Sequence, residues 1–322
     1  MSRRARAGGP HGIVVVDKPR GPTSHDVVQE ARRVFHTRRV GHAGTLDPMA
    51  TGVLVLLLGE ATKLSEIATA ADKTYRAGVQ FGRATDSYDA DGRTTAESSI
   101  TLEQISDAAL ERALQAERER ALQVPPAVSA IKLQGRRAYE LARSGETPEL
   151  EARKVSVRQL EIVARDTHTL TIELRVSKGY YVRSLARDLG AALGVPTHLN
   201  QLRRLASGSF SLAEARAWPP ATAPEPLPLA RALANLLPTL RLSDTGVTRA
   251  RAGQLLSDAD FLEEPSVAAH THAGSEPTLC AWIDRNGAPI ALGARGADGW
   301  RVRRGFAAEL CDAGEEASKV EP

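Results

Sequence analysis

The stretch Gly41-His42-Ala43-Gly44-Thr45-Leu46-Asp47-Pro48-Met49-Ala50-Thr51-Gly52 runs straight into Val53-Leu54-Val55-Leu56-Leu57-Leu58, and its reading decides the fold. The apolar block is too short for an ordinary helix and reads as a buried strand. The loop before it carries one carboxylate, Asp47. Glycines at 41, 44 and 52 allow backbone shapes closed to other residues, and Pro48 biases Asp47 toward the extended region. A lone acid held on a shaped loop at the edge of a sheet is a candidate for chemistry. By composition alone, a turn or helix-cap aspartate is the commoner meaning of such a residue. The order of residues around Asp47 is far more specific than its composition.

Working outward, Gly12 to Val16 is a short apolar strand ending at Asp17-Lys18-Pro19. Ser24 can cap a helix through about Phe35, with Val27, Val28, Ala31, Val34 and Phe35 on one face. Lys73 to Phe81 reads as a strand, followed by an acidic turn from Asp86 to Gly92. Thr101 with Gln104 makes a capping box for a helix to about Ala116. Val155, Val157, Leu160 and Ile162 mark one strand with a slip suggesting a bulge. Leu170, Ile172, Leu174 and Val176 mark its partner. A helix spans about Tyr181 to Leu193, with Val182, Leu185, Leu189 and Ala192 inward.

Pro219, Pro220, Pro224, Pro226 and Pro228 form a proline-rich connection, and Pro238 closes a helix from Leu229 to Leu237. A domain boundary is expected there. Beyond it, short strands at 279–283, 288–292 and 300–302 surround the Asn286-Gly287 hairpin signal, which suggests a small β-barrel-like module. The last dozen residues are acidic and read as disordered.

The chain has 322 residues, 42% hydrophobic and 25% charged, enough for a large domain and a small one. No apolar run is long enough to span a bilayer, and the basic start has no apolar core of a secretory signal, so a cytoplasmic location is expected. The two cysteines, Cys280 and Cys311, have neither metal-site nor disulfide spacing. Asp86, Asp89 and Asp91 lack the ligand spacing of a calcium loop and read as a hairpin turn. Lysine and arginine number 42 against 39 acids, so net charge alone argues weakly for nucleic acid. Arginines do cluster, at 136–137, 203–204 and 301–304, which suits phosphate contacts; a solvated surface is the plainer reading.

Gly41 to Leu64 resembles the catalytic motif of the bacterial tRNA pseudouridine synthase B family, enzymes that isomerise uridine-55 in the T-loop of tRNA. Asp17 to Ser24 resembles that family's N-terminal motif, and Lys73-Thr74-Tyr75-Arg76-Ala77 its second. Ser177 to Gly190 resembles the third, and Leu202-Arg203-Arg204-Leu205 a further element. The motifs occur in the family's order across roughly residues 10 to 310. In one departure, Tyr180 stands where the third motif often has threonine.

The resemblance implies an α+β protein with a mixed, mostly antiparallel sheet. Its catalytic domain would span 10–238, with a thumb-like insertion at about 124–154 containing Lys132, Arg136, Arg137, Tyr139 and Arg143. A PUA-type RNA-binding domain would follow at 239–309, then a tail at 310–322. Asp47 would be the nucleophile, attacking C1′ or C6 of the target nucleotide. Arg183 would pair with Asp47, holding it charged and oriented. Tyr75 would stack on the base, its hydroxyl a candidate for proton transfer. Tyr181 and Leu202 would line the base pocket, and His42 would stack within the opened T-loop. Without the resemblance, Tyr75 reads as a half-buried strand tyrosine, Tyr181 and Leu202 as ordinary core residues, Arg183 as a surface helix arginine, and His42 equally as a structural loop histidine or a functional one.

No cofactor and no metal are expected. The partner would be tRNA, through the T-arm and the acceptor stem, with no membrane, and the protein would be a monomer. Two rivals remain: a non-catalytic tRNA-folding chaperone, and an RNA N-glycosidase using Asp47 to release uracil.

Overall fold

The structure is a computed structural model describing residues 9–127, 150–265 and 278–307, with the backbone of Lys132–Leu133 and Arg136–Arg137. One sheet dominates it. In chain order its main strands are β1 (Gly12–Lys18), β2 (Val40–His42), β3 (Thr51–Leu58), β4 (Lys73–Phe81), β5 (Val157–Arg165), β6 (Thr169–Val176) and β7 (Thr197–Ser207). Across the sheet the order is β5-β6-β4-β7-β3-β1, and the short strand Arg216–Ala217 lies at the edge. Pairing is antiparallel except between β7 and β3 and between β1 and Arg216–Ala217. The sheet is therefore mixed and mostly antiparallel, as expected.

The run Val53 to Leu58 is buried on both faces of this sheet, which is why it shows no alternation with polar residues. Leu54, Leu56 and Leu58 join Val14 and Val16 in a core that includes α1 (Ser24–Val34), α3 (Asp107–Arg118) and α4 (Val182–Leu193). Val53, Val55 and Leu57 join Ile13 and Val15 in a second core on the opposite face, which contains α5 (Leu229–Leu236). Each fully buried Val or Leu contributes roughly 1.5–3 kcal/mol, so this strand anchors both layers. The short helix α2 (Ser65–Ala70) leads into β4.

Residues after Pro238 form a four-stranded sheet ordered β8 (Thr239–Arg241), β9 (Leu279–Ile283), β10 (Pro289–Gly296) and β11 (Gly299–Gly305). Phe261, Trp282 and Trp300 pack together in its core, ring centroids 5.2 to 6.4 Å apart, with Trp282 edge-to-face against the other two and Phe261 tilted on Trp300. Among the described residues this sheet is open. Ala281 and Leu292 share the second core with Leu57 and Leu233. The Lys63 ammonium donates to Gly305 O (2.7 Å), and the buried Glu60 carboxylate accepts from the Ala307 amide (3.0 Å). The C-terminal sheet thus docks on the large sheet through apolar and polar contacts.

Several local expectations are corrected. The cap of α1 is Thr23, in a capping box with Asp26, and not Ser24. Thr101 and Gln104 do make a box, but around a single 3₁₀ turn; α3 starts at Asp107 under its own cap, Ser106. The Val155–Ile162 slip is real, as register shifts in β5, yet Ile162 faces solvent. Ala192 is exposed, while Arg183 on the same helix is buried. Of the thumb-like segment, Lys132–Leu133 pairs with Arg136–Arg137, while Tyr139 and Arg143 lie outside the described residues. The same holds for Cys311 and the acidic tail.

Candidate active site

The Asp47 loop is gripped at almost every residue. Ser24, freed from capping, points at it instead: its hydroxyl accepts from Leu46 N (2.8 Å) and donates to Leu46 O (3.0 Å). Arg204, 1% exposed, donates from Nη2 to Gly44 O (3.0 Å) and from Nε to Val53 O (2.6 Å). The Gly21 amide holds Pro48 O at 2.9 Å. Gly44 has φ +92°. Gly52 has φ +101°, and a Cβ there would stand 2.2 Å from Arg204 O, where β3 meets β7 in parallel. Only glycine allows that approach.

Lys18, fully buried, adds a further strut: its ammonium donates to Pro19 O and Pro22 O, each at 2.8 Å, and reaches Pro48 O at 3.4 Å. Burial pushes its pKa down to about 8, against the opposing pull of the Asp47 charge.

The loop forms one wall of a cleft of about 290 Å³. Two strands form its floor. Lys73 and Tyr75 are two residues apart on β4, so they share a face; Leu202 and Arg204 do the same on β7. Register sets Arg204 opposite Tyr75 and Leu202 opposite Ala77. The turn Ser177–Tyr181 and the start of α4 close the far side. Lys73 donates to Thr69 O (2.6 Å) and Ala71 O (2.7 Å), and burial pushes its pKa down to about 8, Arg204 acting in the same direction.

Arg183 reaches Asp47 across this cleft. Its Nη2 donates to Oδ1 at 3.1 Å and its Nε lies 2.9 Å from Oδ2. The arginine side chain is 6% exposed and the aspartate 32%, so the carboxylate still faces the opening. The remaining nitrogen, Nη1, donates to Ser87 O (3.1 Å) and lies 3.5 Å from Asp89 Oδ2. Asp89 is buried and accepts from Ser87 Oγ at 2.6 Å. Burial raises its pKa, and the Asp47 charge adds to that, against the Ser87 hydrogen bond and Arg183.

Asp47, Tyr75, Arg183, Tyr181 and Leu202 therefore line one cleft, although they come from a loop, two strands and a helix. His42 does not line it. It ends β2, half-buried, with its Nδ1 buried and unpartnered. Burial lowers its pKa, with the charges of Arg204 and His25 adding, so the ring is neutral near neutral pH. Sequence reasoning missed Asp89, which it placed in a plain hairpin turn, and read Arg204 as a surface arginine. The positions of Lys18, Lys73 and Arg204 inside the quoted motifs were the available signal. Among the described residues no cluster of His, Cys, Asp and Glu could hold a metal, and no helix is long and apolar enough to cross a membrane.

Residues 32–182 match the model described as TruB family pseudouridylate synthase (N terminal domain). The tRNA pseudouridine synthase B of Mycobacterium tuberculosis strain H37Rv is 50% identical over 214 residues, 65% of this chain and 71% of that protein. The chain belongs to the TruB family. A Solibacter usitatus protein of the same name is 49% identical over 208 residues, 64% of this chain and 69% of its own length. Among solved structures, a Cbf5-Nop10-Gar1 complex contains a chain with TM-score 0.65 and 25% identity, covering 88% of this chain and 78% of that one. This TruB-family chain is thus a pseudouridine synthase, an isomerase, built on the fold it shares with Cbf5. The matched segment contains Asp47 and Tyr75 and ends one residue before Arg183.

Proposed function

We propose that this enzyme isomerises uridine-55 in the T-loop of tRNA, with Asp47 as the nucleophile. The observation that carries the reading is the side-on contact of Arg183 with Asp47 at the mouth of a cleft floored by Tyr75. The base is detached from C1′ at N1 and reattached at C5; C5 gives up a proton and N1 gains one. No external oxidant or energy source is required. A carboxylate can hold the nucleotide at C1′ or C6 while the base turns. Two contacts from one guanidinium fix where that carboxylate points. Tyr75 supplies a face for the flipped base, Tyr181 and Leu202 narrow the pocket, and Tyr75 is the candidate for the proton at C5.

His42, outside the cleft but one strand away, would enter the opened T-loop; its unpartnered Nδ1 would find a donor or acceptor in RNA. Residues 10–238 would form the catalytic domain, with an insertion at about 124–154 closing on the T-arm. Residues 239–309 would act as a PUA-type domain on the acceptor stem. The enzyme would work on tRNA as a cytoplasmic monomer. Incubation of purified protein with T-arm RNA tests the reading. Pseudouridine at one position is expected, and its loss in Asp47→Asn; free uracil would mean a glycosidase, and binding without change a chaperone.

A further inference from the structure

The turn that carries the cleft's far wall is tied to α3 by a buried contact that serves no obvious folding need. Tyr180 is 8% exposed, and its hydroxyl donates to Glu117 Oε1 at 2.5 Å. Glu117 is 1% exposed, and its Oε2 accepts from Arg120 Nε at 2.6 Å. Arg120 Nη1 lies 3.4 Å from Asp188 Oδ2 on α4. Burial pushes the Tyr180 hydroxyl well above its usual pKa, the Glu117 charge adding, so the phenol keeps its proton and stays a donor. Glu117 sits in the last turn of α3, where the helix dipole disfavours an acid. A phenylalanine at 180 and an apolar residue at 117 would bury similar surface without ionic groups.

The next residue is clamped separately. Gln123, 2% exposed, accepts from Tyr181 N (2.8 Å) and donates to Tyr181 O (3.2 Å). At the turn's other end, Ser177 Oγ accepts from Ser156 N (2.8 Å). Tyr181 is the N-cap residue of α4, which has no side-chain cap of its own, and Arg183 follows two residues later. The entry of α4, and with it the guanidinium that meets Asp47, is thus set from outside the helix.

We infer that Tyr180 and Glu117 are a positioning pair: their hydrogen bond fixes the 177–181 turn so that Tyr181 and Arg183 stand in productive geometry. The pair acts through those residues and not on the RNA. This rests on the reading of Asp47 and Arg183 as the reacting site. Misplacing a catalytic group by about 1 Å can cost on the order of 100-fold in rate, so losing one such bond is expected to show in kcat.

The test is steady-state kinetics on T-arm RNA with full-length protein, with thermal melting alongside. Tyr180→Phe should lower kcat about 10-fold, with KM within about 2-fold. Glu117→Gln, which retains a hydrogen-bonding partner for the phenol, should keep at least about a third of kcat, whereas Glu117→Leu should fall as far as Tyr180→Phe. The Tyr180→Phe/Glu117→Leu double variant should have a kcat no lower than Glu117→Leu alone, because both substitutions remove the same Tyr180–Glu117 bond. A fall in melting temperature with unchanged kcat, or additive losses in the double variant, would overturn the pair and leave the site reading intact. Asp47→Asn in the same assay separates the two: retained activity there would sink the site reading, and the pair with it.

Discussion

Arg183 meets Asp47 with the side of its guanidinium, Nε and Nη2 each facing one carboxylate oxygen, while Nη1 turns to Ser87 O and toward Asp89. One buried cation thus lies between two acids. Arg183→Ala leaves Asp89 buried with its cation gone, and a cost of about 3–5 kcal/mol is expected from denaturant unfolding. Arg183→Lys keeps the charge but cannot reproduce the fork, so the protein should fold and lose roughly 100-fold in single-turnover rate. A lysine variant with near wild-type turnover would show that orientation by the fork is unimportant.

The other acid on that guanidinium predicts a pH effect. The folded-state pKa of Asp89 is raised above its usual 3.8. Above the usual value and up to the raised one, the folded state binds more protons than the unfolded one, so stability falls as pH rises through that window. Asp89→Asn removes this dependence. Urea unfolding should therefore show the variant gaining on the wild type as pH rises above about 4. A stability difference that stays constant, or moves the other way, would contradict the raised pKa.

Much of this was legible in the sequence, and the reasons differ by element. Val53–Leu58 announced itself because a strand buried on both faces has no polar residue to break the run. The alternation in β6 was readable because one face of that strand is less buried. Arg183 could be placed only by motif, since a helical arginine ordinarily faces water. Arg204 and Lys18 were not legible as core residues: their charges are satisfied by backbone carbonyls, and no sequence pattern reports which carbonyls will converge. Asp89 was hidden because its role depends on Arg183, 94 residues along the chain. The β-barrel-like expectation for the last module rested on position, length and strand pattern, which do not specify closure.

The buried lysines give a test with the opposite sign to Asp89. Lys18 and Lys73 each have a folded pKa of about 8 against a usual 10.5. From about 8 to 10.5 the unfolded chain holds the proton that the folded chain has released, so stability rises with pH across that window. Lys18→Met should abolish the part due to Lys18, and the wild type should gain on it as pH climbs through the window. The variant should also be less stable at neutral pH by about 1–3 kcal/mol, because the carbonyls of Pro19 and Pro22 lose their donor. A variant more stable than the wild type at neutral pH would show that the desolvated charge costs more than those bonds return.

Adjacent residues at the start of α1 separate a fold role from a site role. Thr23 caps the helix, and Ser24 holds the Leu46 backbone from both sides, one residue before Asp47. Thr23→Ala removes a cap and should cost about 1 kcal/mol in stability, with kcat unchanged. Ser24→Ala leaves the buried Leu46 N–H and C=O without a partner and should cost about 1–3 kcal/mol. It should also lower kcat, because the loop that aims Asp47 at Arg183 loses its nearest anchor. Far-ultraviolet circular dichroism should show the helix intact in the Ser24 variant. If instead Thr23→Ala impaired catalysis and Ser24→Ala did not, the serine would be no more than part of the helix start, and the aim of Asp47 would have to come from Arg204 and Pro48 alone.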